Sequence, residues 1–190
     1  MSDIESRIAG RREQIIRAAR DVFLRYGLAR TTMGDLATAA GVSRPTLYGA
    51  FGDKTAIFQA VLDDLVNELI VAIEAGLPEH TSLEDKLFFA CTTWATDGFE
   101  RIRTYPDSRD LIDIARPMTA EAYRTFGTML AKVLTEADAG PAAFIEDMAN
   151  MMHAAINGFQ GSAADRTELW KMIRSLSTAV ASVSGKAGGP

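Results

Sequence analysis

The sequence predicts an all-α chain, a small N-terminal helical domain joined by a long helix to a larger helical body. Three observations lead there. Apolar residues recur at three- and four-residue spacing along nearly the whole length; β-branched residues never alternate with polar ones over a strand's length; and Gly, Pro, Ser, Thr or Asp stand where the apolar stripes begin or end. Ile15, Ala19, Val22 and Tyr26 share one face of a first helix, which Gly27 is expected to close. Thr32 caps a short second helix over about 33–40 that Gly41 stops. Ser43 caps a third, with Pro45 in its first turn, where a missing N–H costs nothing. Asp53 caps a long fourth helix, 53–75, with the stripe Phe58, Leu62, Leu65, Leu69 and Ile73; Gly76-Leu77-Pro78 ends it.

Ser82 opens a fifth helix carrying Leu83, Leu87, Ala90, Trp94 and Phe99 and ending before Pro106. A short helix to about Ala115 follows, then one from Pro117 that carries Tyr123, Phe126, Met129, Leu130, Val133 and Leu134 and that Gly140 is expected to terminate. Two more run from Pro141 to about Gly161 and from Arg166 to about Val183. The last repeats Leu169, Ile173, Leu176, Val180 and Val183, a packing seam. The helix before it shows two adjoining apolar sets, one of Phe144, Met148, Met151, Ala155 and Phe159 and one of Ile145, Ala149, Met152 and Ile156. So broad a face suits more than one neighbour. The expected division is a domain over 1–54, a body over 55–184, and a frayed Gly-rich tail over 185–190.

Composition narrows the function classes. Of 190 residues, 47% are hydrophobic and 24% charged, an ordinary globular balance. The apolar clusters 69–73 and 87–91 fall far short of the ~20 residues a membrane helix needs. The N-terminus reads as no secretory signal, so the expected compartment is the cytoplasm. Cys91 is the sole cysteine, which excludes an intrachain disulfide and a cysteine-based zinc cluster. With only His80 and His153, and no HExxH, GxSxG or phosphate-cradling Gly loop, no catalytic residue, metal site or cofactor is expected. The acidic pairs Asp63-Asp64 and Glu146-Asp147 read as solvated helix faces. The net charge of −5 is unevenly distributed: residues 1–54 hold 9 Lys+Arg against 6 Asp+Glu, and the remainder 11 against 19. A basic head on an acidic body suits a chain of which one end meets phosphates.

The segment GDLATAAGVSRPTLYGAFGDK places two short helices around a tight turn. Leu36, Ala37, Val42 and Leu47 are the residues that pack the pair; Ala37 permits close approach and Gly41 supplies the positive φ that reverses the chain. Arg44, Thr46, Tyr48 and Gly49 are left facing solvent, where a helix of this kind enters a DNA major groove. Arg44 suits bidentate contact with a guanine edge, and Thr32, Tyr48 and Lys54 suit phosphates.

The run GVSRPTLYGAFGDK, preceded by RREQIIRAARDVFLRYGLARTTMGDLA, resembles the N-terminal domain of TetR-family transcriptional regulators over about residues 11–60. The resemblance rests on Phe23, Gly27, Thr32, Ala37, Gly41-Val42-Ser43, Leu47-Tyr48, Phe51 and Lys54. It implies phosphate-contacting roles for Thr32, Tyr48 and Lys54 and sequence-reading positions at Arg44, Pro45 and Thr46, with Ser43 and Gly49 on the same DNA-facing edge. The chain departs from the pattern at Gly49-Ala50, where family members often carry an aromatic-His pair. The glycine weakens the third helix by about 1 kcal/mol.

The resemblance also implies a homodimeric, ligand-responsive repressor whose partners are a palindromic double-stranded operator and a small apolar or amphipathic effector. Family members pair through their last two helices, which assigns Ile156, Phe159, Leu169, Ile173, Leu176 and Val180 to the interface. The aromatic and Met-rich middle helices supply an effector pocket of Trp94, Phe99, Tyr123, Phe126, Met129, Met148 and Met152, with Thr92, Thr93 and His153 to orient a ligand. The same residues would equally suit an ordinary core. The alternatives are a helical interaction module and an activator without effector-driven release.

Overall fold

A computed structural model of the chain describes residues 3–104 and 120–184. Among the described residues there are eight α-helices and no strand: α1 Asp3–Arg30, α2 Met33–Ala40, α3 Arg44–Phe51, α4 Lys54–Gly76, α5 Leu83–Thr104, α6 Ala120–Glu136, α7 Ala142–Ser162 and α8 Arg166–Val183, with a 3-10 turn at Leu77–Glu79. The expected short helix ending near Ala115, the start at Pro117 and the tail 185–190 lie outside the described residues. No described helix is long and apolar enough to cross a membrane.

The helices start where short-range capping was expected. Asp53 accepts from the Ala56 N–H at 2.8 Å and Ser82 from the Asp85 N–H at 3.0 Å. Asp165, which the sequence reading passed over, accepts from the Glu168 N–H at 2.9 Å and starts α8. Two expected ends differ. Gly27 does not end α1 but kinks it, at φ 73° and ψ 166°, a conformation essentially reserved for glycine; one further turn follows to Arg30. At the end of α6, Asp138 takes φ 50° two residues before Gly140, and the Ala139 N–H donates to the Leu134 carbonyl at 3.0 Å. Asp tolerates this left-handed conformation, so α6 stops at Glu136 without waiting for the glycine.

The chain forms two compact units, the first running to Val66 and the second taking up at Asn67, both inside α4. The division falls beyond residue 54 because α4 completes the first core. Ile57, Phe58 and Val61 are buried there with Ile15, Ala19 and Phe23 of α1, Leu36, Ala37 and Ala40 of α2, and Leu47 and Phe51 of α3. Phe23 meets Phe58 edge to face at 5.2 Å. The buried stripe of α1 is therefore Ile15-Ala19-Phe23, and Tyr26, expected on it, is 49% exposed.

The second unit buries Leu87, Ala90, Cys91 and Trp94 of α5, Phe126, Met129, Leu130, Val133 and Leu134 of α6, Ile145, Ala149, Met152 and Ile156 of α7, and Leu169, Ile173 and Val180 of α8. Arg174 ties α8 to α5: its guanidinium lies 3.4 Å from the Phe88 ring centre and bonds Asp85 at 3.0 Å. The Asp85 carboxyl, which also accepts from the Ser82 hydroxyl, is held below the usual carboxylate range by that bond first and by Arg174 second.

Two sets of expected residues change role in this packing. Ile156, Leu169, Ile173 and Val180, read as a dimer interface, are buried inside the single chain, because the α8 seam is used against the same chain's own helices. Phe159 and Leu176 remain part-exposed. Of the expected pocket residues, Trp94 stacks on Phe126 at 4.3 Å and 9°, and Phe126, Met129 and Met152 are buried with it. Met148 is half-buried, and the side chains of Phe99 and Tyr123 lie outside the described residues.

Candidate nucleic-acid interface

The first unit presents a helix-turn-helix whose corner is fixed by backbone and cap bonds. Thr32 and Asp35 form a reciprocal capping box: the Asp35 N–H donates to the Thr32 hydroxyl at 3.2 Å, while the Thr32 N–H and hydroxyl donate to the Asp35 carboxylate at 2.9 and 2.7 Å. Those Thr32 bonds hold the Asp35 carboxyl below its ordinary range. Gly41 takes φ 66° and ψ 30°, its N–H donating to the Thr38 carbonyl at 3.2 Å and that of Val42 to the Ala37 carbonyl at 3.0 Å. These two bonds satisfy carbonyls that the end of α2 would otherwise orphan. Gln14 reaches from α1 to the Ala40 carbonyl at 3.0 Å and satisfies another.

Helix α3 starts at once. Ser43 accepts from the Thr46 N–H at 3.2 Å, and the Ser43 and Thr46 hydroxyls bond each other at 2.8 Å. Leu47 and Phe51 point into the core, and Gly52, at φ 82°, ends the helix. Arg12 covers this end from α1, with its guanidinium 4.1 Å from the Phe51 ring centre and an N–H on the Ala50 carbonyl at 2.8 Å. One face of α3 is thus consumed by packing and the other is open: Arg44, Pro45, Tyr48 and Gly49 are exposed, Tyr48 by 51%, and Thr46 is half-buried. A side chain at Gly49 would meet nothing within 4 Å, so the fold does not require glycine there.

The structure brings Ser43, Arg44, Pro45, Thr46, Tyr48 and Gly49 together on α3 and sets Thr32 at the start of α2. Lys54 is engaged differently from the sequence expectation. Its ammonium donates to the carbonyls of Leu28, Ala29 and Thr31 at 2.9, 3.3 and 3.0 Å, clamping the end of α1 to the start of α4. A cation there also meets the negative end of the helix dipole. Nothing local in the sequence foretells this clamp, because its partners lie 23 to 26 residues away. Sequence reasoning also missed Gly34, the second residue of α2.

In the second unit, Thr92 and Thr93 both lie on α5. The Thr92 hydroxyl donates to its own helix, at the Phe88 carbonyl 2.7 Å away, and Thr93 is half-buried. A groove of about 490 Å³ runs between α6 and α7, lined by Thr128, Ala131, Ala149, Asn150 and His153 among others; of the residues expected at the pocket, His153 is the one that lines it. Burial lowers the His153 pKa, and its Nε2 meets the Asn157 amide at 3.0 Å. Among the described residues, no cluster of three or more His, Cys, Asp or Glu is placed to hold a metal ion.

Known proteins match this architecture. The profile of a family described as bacterial regulatory proteins, tetR family, matches residues 15–61, the span that holds the helix-turn-helix and the start of α4. The transcriptional repressor ComR of Escherichia coli K12 is 26% identical over an alignment covering 88% of this chain and 86% of that protein. The transcriptional regulator TtgR of Pseudomonas putida is 48% identical over 54 residues, 28% of this chain and 26% of that one. The crystal structure of a TetR-family transcriptional regulator from Pectobacterium atrosepticum superposes with a TM-score of 0.73 at 18% identity, covering 98% of this chain and all of that one. These relatives are named as regulators of transcription, and the chain is similar to TetR-family regulators by profile along its helix-turn-helix and by fold along its length.

Proposed function

We propose that the chain is a ligand-responsive transcriptional repressor that binds a palindromic operator as a homodimer through α3. The observation that carries this reading is the rigid α2-turn-α3 corner, with every cap satisfied and the face of Arg44, Pro45, Tyr48 and Gly49 left open. In this reading Arg44 meets a guanine edge, Pro45 and Thr46 shape base preference, and Ser43 and Gly49 lie along the same edge. Thr32 and Tyr48 position the domain on phosphates. Lys54 contributes by holding α1 to α4. That the relative aligned along most of the chain is named a repressor favours repression.

The homodimer forms through the outward face of α7. Met151, 44% exposed, shares that face with Ala154, Gly158 and Gly161, and both glycines border open space. Two copies double the base contacts of one short recognition helix, with half-sites about 34–36 Å apart. The effector is small and apolar or amphipathic, and its binding in the second unit shifts α4 and moves the paired recognition helices out of register. Reversing a 99:1 population in this way takes about 5.5 kcal/mol of differential affinity.

Selection of bound duplexes from random DNA, followed by anisotropy titration, tests the reading. A palindromic consensus, steep weakening with salt, and loss of affinity in Arg44→Ala and Tyr48→Ala are expected. Full affinity in both variants would overturn the assignment of α3.

A further inference from the structure

Helix α2 carries a glycine, Gly34, in its first turn, where the backbone does not call for one. Its φ is not in the left-handed region, and glycine disfavours a helix. Space explains it. A Cβ built at residue 34 runs into Nη2 of Arg44 and lies 3.1 Å from Cζ and 3.3 Å from Nε of the same side chain. The guanidinium of the first α3 residue therefore rests on the bare backbone of α2 at Gly34. Beside it stands Asp35, whose carboxylate is fixed by Thr32 and interacts favourably with the Arg44 charge. Gly49, also helical, has no such neighbour.

We propose that Gly34 is a specificity-determining position: its missing side chain leaves a shelf on α2 where the Arg44 guanidinium is held in the pose from which it meets a base pair. This rests on the reading of α3 as the DNA-reading helix. A long side chain ordered before binding loses less rotamer freedom on binding than one that is free, and its fork arrives in one orientation. Base preference at that step of the operator is then set by two helices, α3 supplying the donor and α2 its direction. Any side chain at 34 evicts the guanidinium. Because the displaced atoms are the far end of a flexible side chain, the eviction leaves the corner itself intact.

The experiment is a double-mutant cycle in the full chain. Wild type, Gly34→Ala, Arg44→Ala and the double variant are titrated by fluorescence anisotropy against the selected operator and a scrambled duplex. A bidentate base contact discriminates by about 5- to 150-fold, so Gly34→Ala is expected to lose operator affinity in that range while binding the scrambled duplex as before. Added to Arg44→Ala, it should cost nothing more. Melting temperature controls for folding, because alanine favours the helix and Gly34→Ala should melt at or above wild type. Selection from random DNA gives an independent reading: Gly34→Ala and Arg44→Ala should lose preference at the same base pair. Wild-type or tighter operator binding by Gly34→Ala, or an equal loss in the Arg44→Ala background, overturns the role of Gly34 alone. Wild-type operator binding by Arg44→Ala overturns the reading of Arg44 and the inference with it.

Discussion

Replacing Lys54 by methionine separates two roles that the side chain cannot fill at once. Methionine keeps most of the apolar stem and removes the ammonium. In the structure that ammonium donates to three carbonyls, of which the bonds to Leu28 and Thr31 are part-buried and the one to Ala29 is exposed. A hydrogen bond involving a charged group contributes about 1.5–3 kcal/mol. Water replaces the exposed bond almost fully and the sheltered pair in part, so the net loss is about 2–3 kcal/mol. For a chain of this size that lowers Tm by about 5–10 °C. Urea unfolding followed by circular dichroism should show a lower midpoint at an unchanged m-value. Anisotropy on non-specific DNA should show an unchanged dependence of log affinity on log salt. The opposite pair of results, unchanged stability with a salt slope reduced by about 1, would put the ammonium on a phosphate and refute the clamp.

Four further outcomes are expected. Thr32→Ala, which removes the cap of α2, should cost about 1 kcal/mol in equilibrium unfolding at neutral pH; a change below the error of the fit would mean that water serves the same N–H. The depressed Asp35 carboxyl contributes stability that is present above its unfolded value near 3.8 and is lost as pH falls through the folded value. Asp35→Asn should therefore flatten the acid limb of stability against pH below about 4, and parallel limbs for the two proteins would count against it. Burial pushes the Cys91 thiol far above its ordinary range, so a thiol reagent should label it only as fast as the protein unfolds. Labelling at the rate of a free thiol would contradict its burial. Finally, Met151→Glu should convert a dimer into a monomer in sedimentation velocity, and a dimer that survives it would move the interface off the outward face of α7.

Much of this molecule is legible from short-range chemistry. The caps at Thr32, Ser43, Asp53 and Ser82, the turn at Gly41 and the stop at Gly76 each depend on residues within four positions, and each is where the spacing puts it. Periodicity marks which helices have a buried face but not what covers it. That is why the α8 seam reads equally well as an interface and as the intrachain core it forms, and why Trp94 and Phe126 read as a cavity although they stack on each other. The candidate interface follows the same rule. The exposed face of α3 comes from its helical register, whereas the Lys54 clamp and the Arg44 shelf depend on partners brought close only by the tertiary fold. Gly27 illustrates a related point: at φ 73° and ψ 166° it breaks the helical run where expected, while the further turn to Arg30 depends on the residues beyond it.

The point at which the first core closes bears on how such proteins can be recombined. A chimaera made by joining residues 1–54 to the remainder of a relative would take Ile57, Phe58 and Val61 positions from a chain whose own head they had been fitted to. Its helix-turn-helix would be native in sequence and foreign in its packing. A graft that exchanges DNA specificity while keeping the host's response should therefore be cut beyond Val61, within α4, so that the donor head brings these three residues with it.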